Sequence, residues 1–215
     1  MINSLSKLVL LLVVLSAVPM RFVAQGSALD SATEVVAADP ASKYSDDWRS
    51  NGPPGGDVRS LVVDPSNPDR FYFGTLDGQM YTSADAGKTW QFLYNFNRPR
   101  LFVDHIIVDP RDSRVLYVAA HRHKESGGFF KSTDGGRTWR ESPELRNEAL
   151  HSLTQAESNP DVLITGTFNG IFRSDNAGDT WTQLPTLSTP GLVHVESLAI
   201  DPRTTNTIYA GTWYL

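Results

Sequence analysis

Cysteine is absent from the 215 residues, so neither a disulfide framework nor a thiolate metal site is available to this fold. Positive charge is also short, with 19 Lys and Arg against 24 Asp and Glu. A protein held mainly by backbone phosphates needs the opposite balance, so nucleic acid is not an expected partner. No window of useful length carries apolar residues at helical spacing. The one long apolar run, Leu8 to Val18, is too short for a transmembrane helix of roughly 20 residues, and Pro19 and Arg21 interrupt it. Lys7 precedes the run, small residues (Ala24, Gly26, Ala28) follow it, and no acidic residue occurs before Asp30. That pattern predicts a secretory signal peptide over 1–28, and so a secreted or periplasmic protein with no membrane span after cleavage. Loss of Lys7 and Arg21 takes the net charge from −5 to −7. The small, polar, aperiodic stretch 29–47 reads as a flexible lead-in.

What remains is one unit written about four times. Val58 to Asp64-Pro65 and Phe71 to Thr75 recur at Val103 to Asp109-Pro110 and Leu116 to Ala120, a shift of 45. They recur at Leu150 to Leu153 and Ile164 to Thr167 (shift 92), and at Val195 to Asp201-Pro202 and Ile208 to Thr212 (shift 137). Within a unit the grammar is all β. An apolar β-branched run ends at Asp-Pro, a second at a hairpin signal such as Asp77-Gly78, a third at a Gly-bearing loop, and a fourth begins at Thr-Trp. Four short antiparallel strands in ~40–45 residues make one β-propeller blade. One such sheet exposes two apolar faces, and blades packed face to face around an axis bury both. The expected fold is therefore an all-β propeller of four-stranded blades over 48–215, with units starting near 58, 103, 150 and 195. Trp48 sits where a preceding blade's fourth strand belongs, and the chain stops inside the second strand of unit four. We read about three complete blades plus parts of others, as in a truncated propeller, with missing blades or self-association expected to cover the end faces.

The loop before the fourth strand repeats most sharply. It places Ser83, Asp85, Gly87, Thr89 and Trp90 in register with Ser132, Asp134, Gly136, Thr138 and Trp139. The third copy is Ser174, Asn176, Gly178, Thr180 and Trp181. A short Asp or Asn side chain can accept bonds from backbone N–H groups of its own turn. Gly supplies a positive φ, and Trp supplies a large apolar plate. This pattern resembles the Asp-box, or BNR repeat, of sialidases, xyloglucanase-type glycoside hydrolases, sortilin ectodomains and photosystem II assembly factors. The resemblance covers roughly Trp48 to Leu215. It implies that the box is a folding device remote from the functional end, so Asp85 and Asp134 are not expected to be catalytic.

In an antiparallel blade the box loop and the first hairpin share one end, and the second hairpins and inter-blade connections share the other. Binding residues are expected at that second rim. One column stands out there, namely Arg59, Asp104, His151 and Glu196, equivalent positions early in the four innermost strands. Facing a central channel together, they can bind a polar ligand. Arg98 and Arg100, in the run Phe96-Asn97-Arg98-Pro99-Arg100, can grip a carboxylate or stack on a sugar. His121 and His123, in what reads as the longest second-hairpin loop, lack a third metal ligand at recognisable spacing. Calcium at Asp175 to Asp179 lacks the EF-hand ligand order. No metal and no cofactor is expected.

A glycosidase needs two carboxylates about 5–9.5 Å apart. Asp57, Asp77, Asp104, Glu144, Glu148 and Glu196 lie on the rim, but no spacing picks a pair, so no catalytic residue is assigned. The sequence alone thus favours an exported, non-catalytic propeller that binds an unidentified protein or glycan as a scaffold or assembly factor. The alternative is a fragment of a secreted glycoside hydrolase of the xyloglucanase type.

Overall fold

The computed structural model describes residues 52–53, 57–123, 125–185 and 194–212. The predicted signal peptide and lead-in, Trp48 and Trp213 lie outside them. Every regular element among the described residues is a strand. The first blade comprises β1 (Val58–Asp64), β2 (Asn67–Thr75), β3 (Gln79–Ser83) and β4 (Gln91–Asn95). The second comprises β5 (Phe102–Val108), β6 (Leu116–Arg122), β7 (Glu125–Ser132) and β8 (Arg140–Glu141). The third comprises β9 (Leu150–Gln155), β10 (Leu163–Thr167), β11 (Gly170–Ser174) and β12 (Thr182–Gln183), and a fourth unit holds β13 (Val195–Ile200) and β14 (Ile208–Thr212). Each sheet is an antiparallel meander in chain order. The first strands of the units neighbour one another in the order β1, β5, β9, β13, which makes them the innermost strands of a propeller.

The core lies between blades. Tyr72 and Met80 of blade one pack with Val103, Ile106, Leu116, Val118 and Phe130 of blade two. Tyr117, Ala119 and Phe129, from the other face of blade two, pack with Leu150, Leu163, Phe172 and Trp181 of blade three. A smaller cluster joins Val162 and Ile164 to Leu198, Ile200 and Ile208. Strand β6 therefore serves two interfaces at once, which is why its run Leu116 to Ala120 is apolar without alternation. Where a neighbour is missing among the described residues, the same positions face water. Leu61 is 61% exposed, while Ile106 and Leu153, its counterparts, are each 7% exposed.

The three Ser-to-Trp segments close on themselves in the same way. Ser83 Oγ donates to Asp85 Oδ1 at 2.7 Å and accepts from the Gly87 amide at 2.9 Å. Asp85 in turn accepts from the Thr89 amide at 2.9 Å and from Thr89 Oγ1 at 2.6 Å. Asp134 repeats these bonds with Thr138, and Asn176 Oδ1 takes the Thr180 amide while its Nδ2 donates to Thr180 Oγ1. Gly87, Gly136 and Gly178 have φ of 79°, 86° and 78°, the left-handed region that favours glycine. These turns join the third and fourth strands, at the end opposite the starts of β1, β5, β9 and β13.

Candidate functional site

The rim at the other end is built on a repeated irregularity. In β1 the pairing with β2 jumps from Val58 to Ser60, leaving Arg59 as the extra residue of a β-bulge. In β5 it jumps from Val103 to His105 around Asp104, in β9 from Leu150 to Ser152 around His151, and in β13 from Val195 to Ser197 around Glu196. The four column residues are thus the four bulged residues. A bulge re-aims one side chain and strengthens the local twist, and here it does so at one level in four adjacent innermost strands. The residue after each bulge ties neighbouring blades together. Ser60 Oγ donates to the Val103 carbonyl at 2.6 Å, Ser152 Oγ donates to the Val195 carbonyl at 3.3 Å, and His105 Nε2 lies 2.9 Å from the His151 carbonyl.

The bulged side chains meet. Arg59 Nε lies 3.4 Å from Asp104 Oδ1, Asp104 Oδ2 contacts His121 Nδ1, and His151 Nδ1 lies 3.5 Å from Glu196 Oε2. Between the two carboxylates the imidazoles of His121 and His151 face each other at 4.1 Å between ring centroids. Phenylalanines extend the column on both sides. Phe102 meets His121 edge-on at 4.8 Å, and Phe168 stacks on His151 at 4.3 Å and meets His194 at a tilt at 4.2 Å. The Arg59 guanidinium carbon lies 5.6 Å from the Phe102 ring centroid. Burial, then the neighbouring His121, push the His151 imidazole down to about 4. It is therefore neutral at pH 7. The result is a ribbon of five rings edged by one guanidinium and two carboxylates, a surface suited to hydroxyl-bearing rings that offer C–H faces to aromatics and O–H groups to carboxylates.

His121 joins this site although the sequence reading put it in a loop. The supposed loop is mostly strand, because β6 runs through Arg122 and β7 begins at Glu125. His121 and His123 point to different surroundings, the first to Asp104 and the second, exposed, to a small cavity beside Arg100, Arg122 and Glu125. His121, Phe168 and Leu76 share one register position at the end of the second strands, and that was the signal for it. The expectation for Arg98 is corrected. Its guanidinium is committed inside the protein, to Glu141 in a two-point pair at 3.0 and 2.8 Å and to the Gly127 carbonyl at 3.0 Å, over the Phe130 ring. It locks blade one to blade two. Arg100 stays exposed, apart from the column, with φ of 55°.

Three other carboxylates, those of Asp109, Asp175 and Asp179, are held by neighbouring side chains. Burial pushes the Asp109 carboxyl up, but the Arg111 fork and amide and the Tyr117 hydroxyl outweigh it and hold it at about 2. Asp175 is taken by Arg173 and Asp179 by Lys131 and Arg140. Among the described residues no group of three or more His, Asp or Glu is placed to hold a metal ion, and no helix is long and apolar enough to cross a membrane.

No family model matches the chain. A xyloglucanase of Paenibacillus is 37% identical over 109 residues, covering 44% of this chain and 10% of the enzyme. The xyloglucanase Xgh74A of Acetivibrio thermocellus is 33% identical over 97 residues, covering 38% and 11%. The chain thus spans about a tenth of the length of the curated relatives it matches. The crystal structure of the GH74 xyloglucanase from Xanthomonas campestris matches with a TM-score of 0.60 at 22% identity, over 74% of this chain and 27% of that one. The structural likeness establishes the propeller fold. The sequence likeness overturns the expectation of a non-catalytic binding protein, because these relatives are glycoside hydrolases. The absence of a legible carboxylate pair misled the sequence reading, since a repeat enzyme can distribute its chemistry over many blades and one segment need not carry it.

Proposed function

We propose that this chain forms propeller blades of a secreted glycoside hydrolase that cleaves xyloglucan or a closely related β-glucan. The observation that carries the reading is the 37% identity with a xyloglucanase over 109 residues. The Ser-x-Asp-x-Gly-x-Thr-Trp segments support it through their resemblance to the Asp-box of that class, and the amino-terminal apolar run supports export. In this reading the ring ribbon of Phe102, His121, His151 and Phe168 is a sugar-facing surface. Asp104 and Glu196 accept sugar hydroxyls there, each oriented by a histidine. Arg59 holds Asp104 in place. The reading gives these residues a substrate-holding task and assigns the bond-breaking acid and base to none of them. Binding and reducing-end release with xyloglucan oligosaccharides test it. Saturable binding, or cleavage at the β-glucan backbone, is expected. Inertness toward xyloglucan in both assays with a folded protein contradicts it.

A further inference from the structure

At the box end of the molecule the crevices between successive blades carry different side chains at equivalent positions. Between blades two and three, cations from one blade meet anions from the next. Lys131 Nζ and Arg140 Nη2 reach Asp179 Oδ1 at 2.9 and 2.6 Å, and Arg111 Nη1 reaches Asp161 Oδ1 at 2.6 Å. Between blades three and four, Arg173 Nη1 donates to the Thr205 carbonyl at 2.6 Å. Between blades one and two the same positions read differently. Thr82, Gln91 and Ser66 stand where blade two has Lys131, Arg140 and Arg111, and Arg137 and Arg114 stand where blade three has Asp179 and Asp161. The bridging pairs are gone, and a cavity of about 590 Å³ opens there, lined among others by Asp64, Arg70, Tyr72, Gln91, Arg114 and Arg137. That volume is in the range of small-molecule sites, ~300–1,000 Å³.

Its inner end carries two polar atoms without partners. Asp64 Oδ2 and Tyr72 Oη are buried and unbonded, on residues each 1% exposed. In blade two the equivalent pair is satisfied internally, since Asp109 Oδ2 accepts from Tyr117 Oη at 2.8 Å and from Arg111 Nη2 at 2.9 Å. Ser66 cannot reproduce that fork. Buried polar atoms left unpaired cost stability that a ligand can return. On the outer side, Arg137 gives Nη1 to the Asp134 carbonyl, and neither Arg137 nor Arg70 pairs with a carboxylate among the described residues. The cavity therefore asks for an anion at its mouth and for neutral hydroxyls at its inner end. Phosphate or an acidic peptide satisfies the guanidiniums but brings a second anion toward Asp64.

We propose that this crevice binds a hexuronate, a sugar whose carboxylate pairs with Arg137 and Arg70 while its ring hydroxyls meet Asp64 and Tyr72. The site lies at the end opposite the ring ribbon and does not rest on the activity proposed above. Calorimetric titration of the full chain with glucuronate, glucose and inorganic phosphate tests it. Glucuronate is expected to saturate, with glucose and phosphate each about tenfold weaker or worse, the scale of one lost charge-assisted bond. Arg137→Gln is expected to weaken glucuronate by a similar factor. The pair Thr82→Lys with Arg137→Asp rebuilds the Lys131–Asp179 bridge in this crevice and is expected to abolish binding with an unchanged near-UV spectrum. The proposal is overturned if glucuronate does not saturate, or if phosphate binds as tightly. Binding unchanged in Arg137→Gln overturns it too, and that single exposed change keeps the test valid should the double variant misfold.

Discussion

At the scale of residues, two titrations distinguish the two ends of the molecule. His151 is held neutral, its pKa depressed to about 4, whereas an unfolded histidine titrates near 6.5. Between those values the unfolded chain binds the extra proton, so stability rises with pH there and is lost as pH falls from about 6.5 toward about 4. Its side chain is only 11% exposed, and the loss by pH 4 is on the order of 3 kcal/mol. His151→Phe keeps the stack on Phe168 and removes the proton, so urea midpoints taken at pH 7 and pH 4.5 should differ less than in the parent. The Ser-to-Trp turn behaves in the same sense, in a lower pH window. The hydroxyl and amide of Thr138 hold Asp134 at about 2, so its contribution is complete above about 3.8 and is lost as pH falls through about 2. Asn176 makes the corresponding bonds in the third copy. Asp134→Asn should therefore match the parent in thermal melts at pH 7 and show a flatter decline below pH 4, whereas Asp134→Ala should melt lower at both.

At the scale of elements, the inner bulges restrict one position of each second strand to a small residue, Gly74, Ala119, Gly166 or Gly211. A Cβ on Gly74 would come within 2.3 Å of Val103 Cγ1, and one on Gly166 within 2.5 Å of Val195 Cγ1. Gly74→Ala is expected to cost about 1–3 kcal/mol by overpacking, measured by urea unfolding. Val103→Ala in the same chain should recover part of it, since the two atoms in conflict belong to one contact. This geometry also shows what was legible in the sequence. The repeat spacing, the turn chemistry at Asp85, Asp134 and Asn176, and the apolar inner strands are local patterns with a fixed period, so strand order could be read from them. The column Arg59, Asp104, His151 and Glu196 was legible for the same reason, because equivalent positions in successive blades share one level. His121 was missed despite its register with Leu76 and Phe168, because it comes from a second strand and reaches the column only after the hairpin folds back. Arg98 was misread because its partner Glu141 lies 43 residues away, in a blade whose placement no local pattern reports.

At the scale of the whole molecule, cohesion and function are separated along the propeller axis. Apolar contacts between adjacent blades hold them together, while the bulges turn one charged or titratable residue per blade toward a common rim. In the function proposed above, the five rings and two carboxylates of that rim face a sugar, and the relatives the chain matches are xyloglucanases by name. The most direct test is the response of xyloglucan-oligosaccharide affinity to paired substitutions at the two ends. Asp104→Asn, which removes the charge facing both Arg59 and His121, is predicted to weaken binding about tenfold or more, while Asp134→Asn at the far end leaves it unchanged. Equal affinity in both variants, or no affinity in the parent protein, would contradict the account.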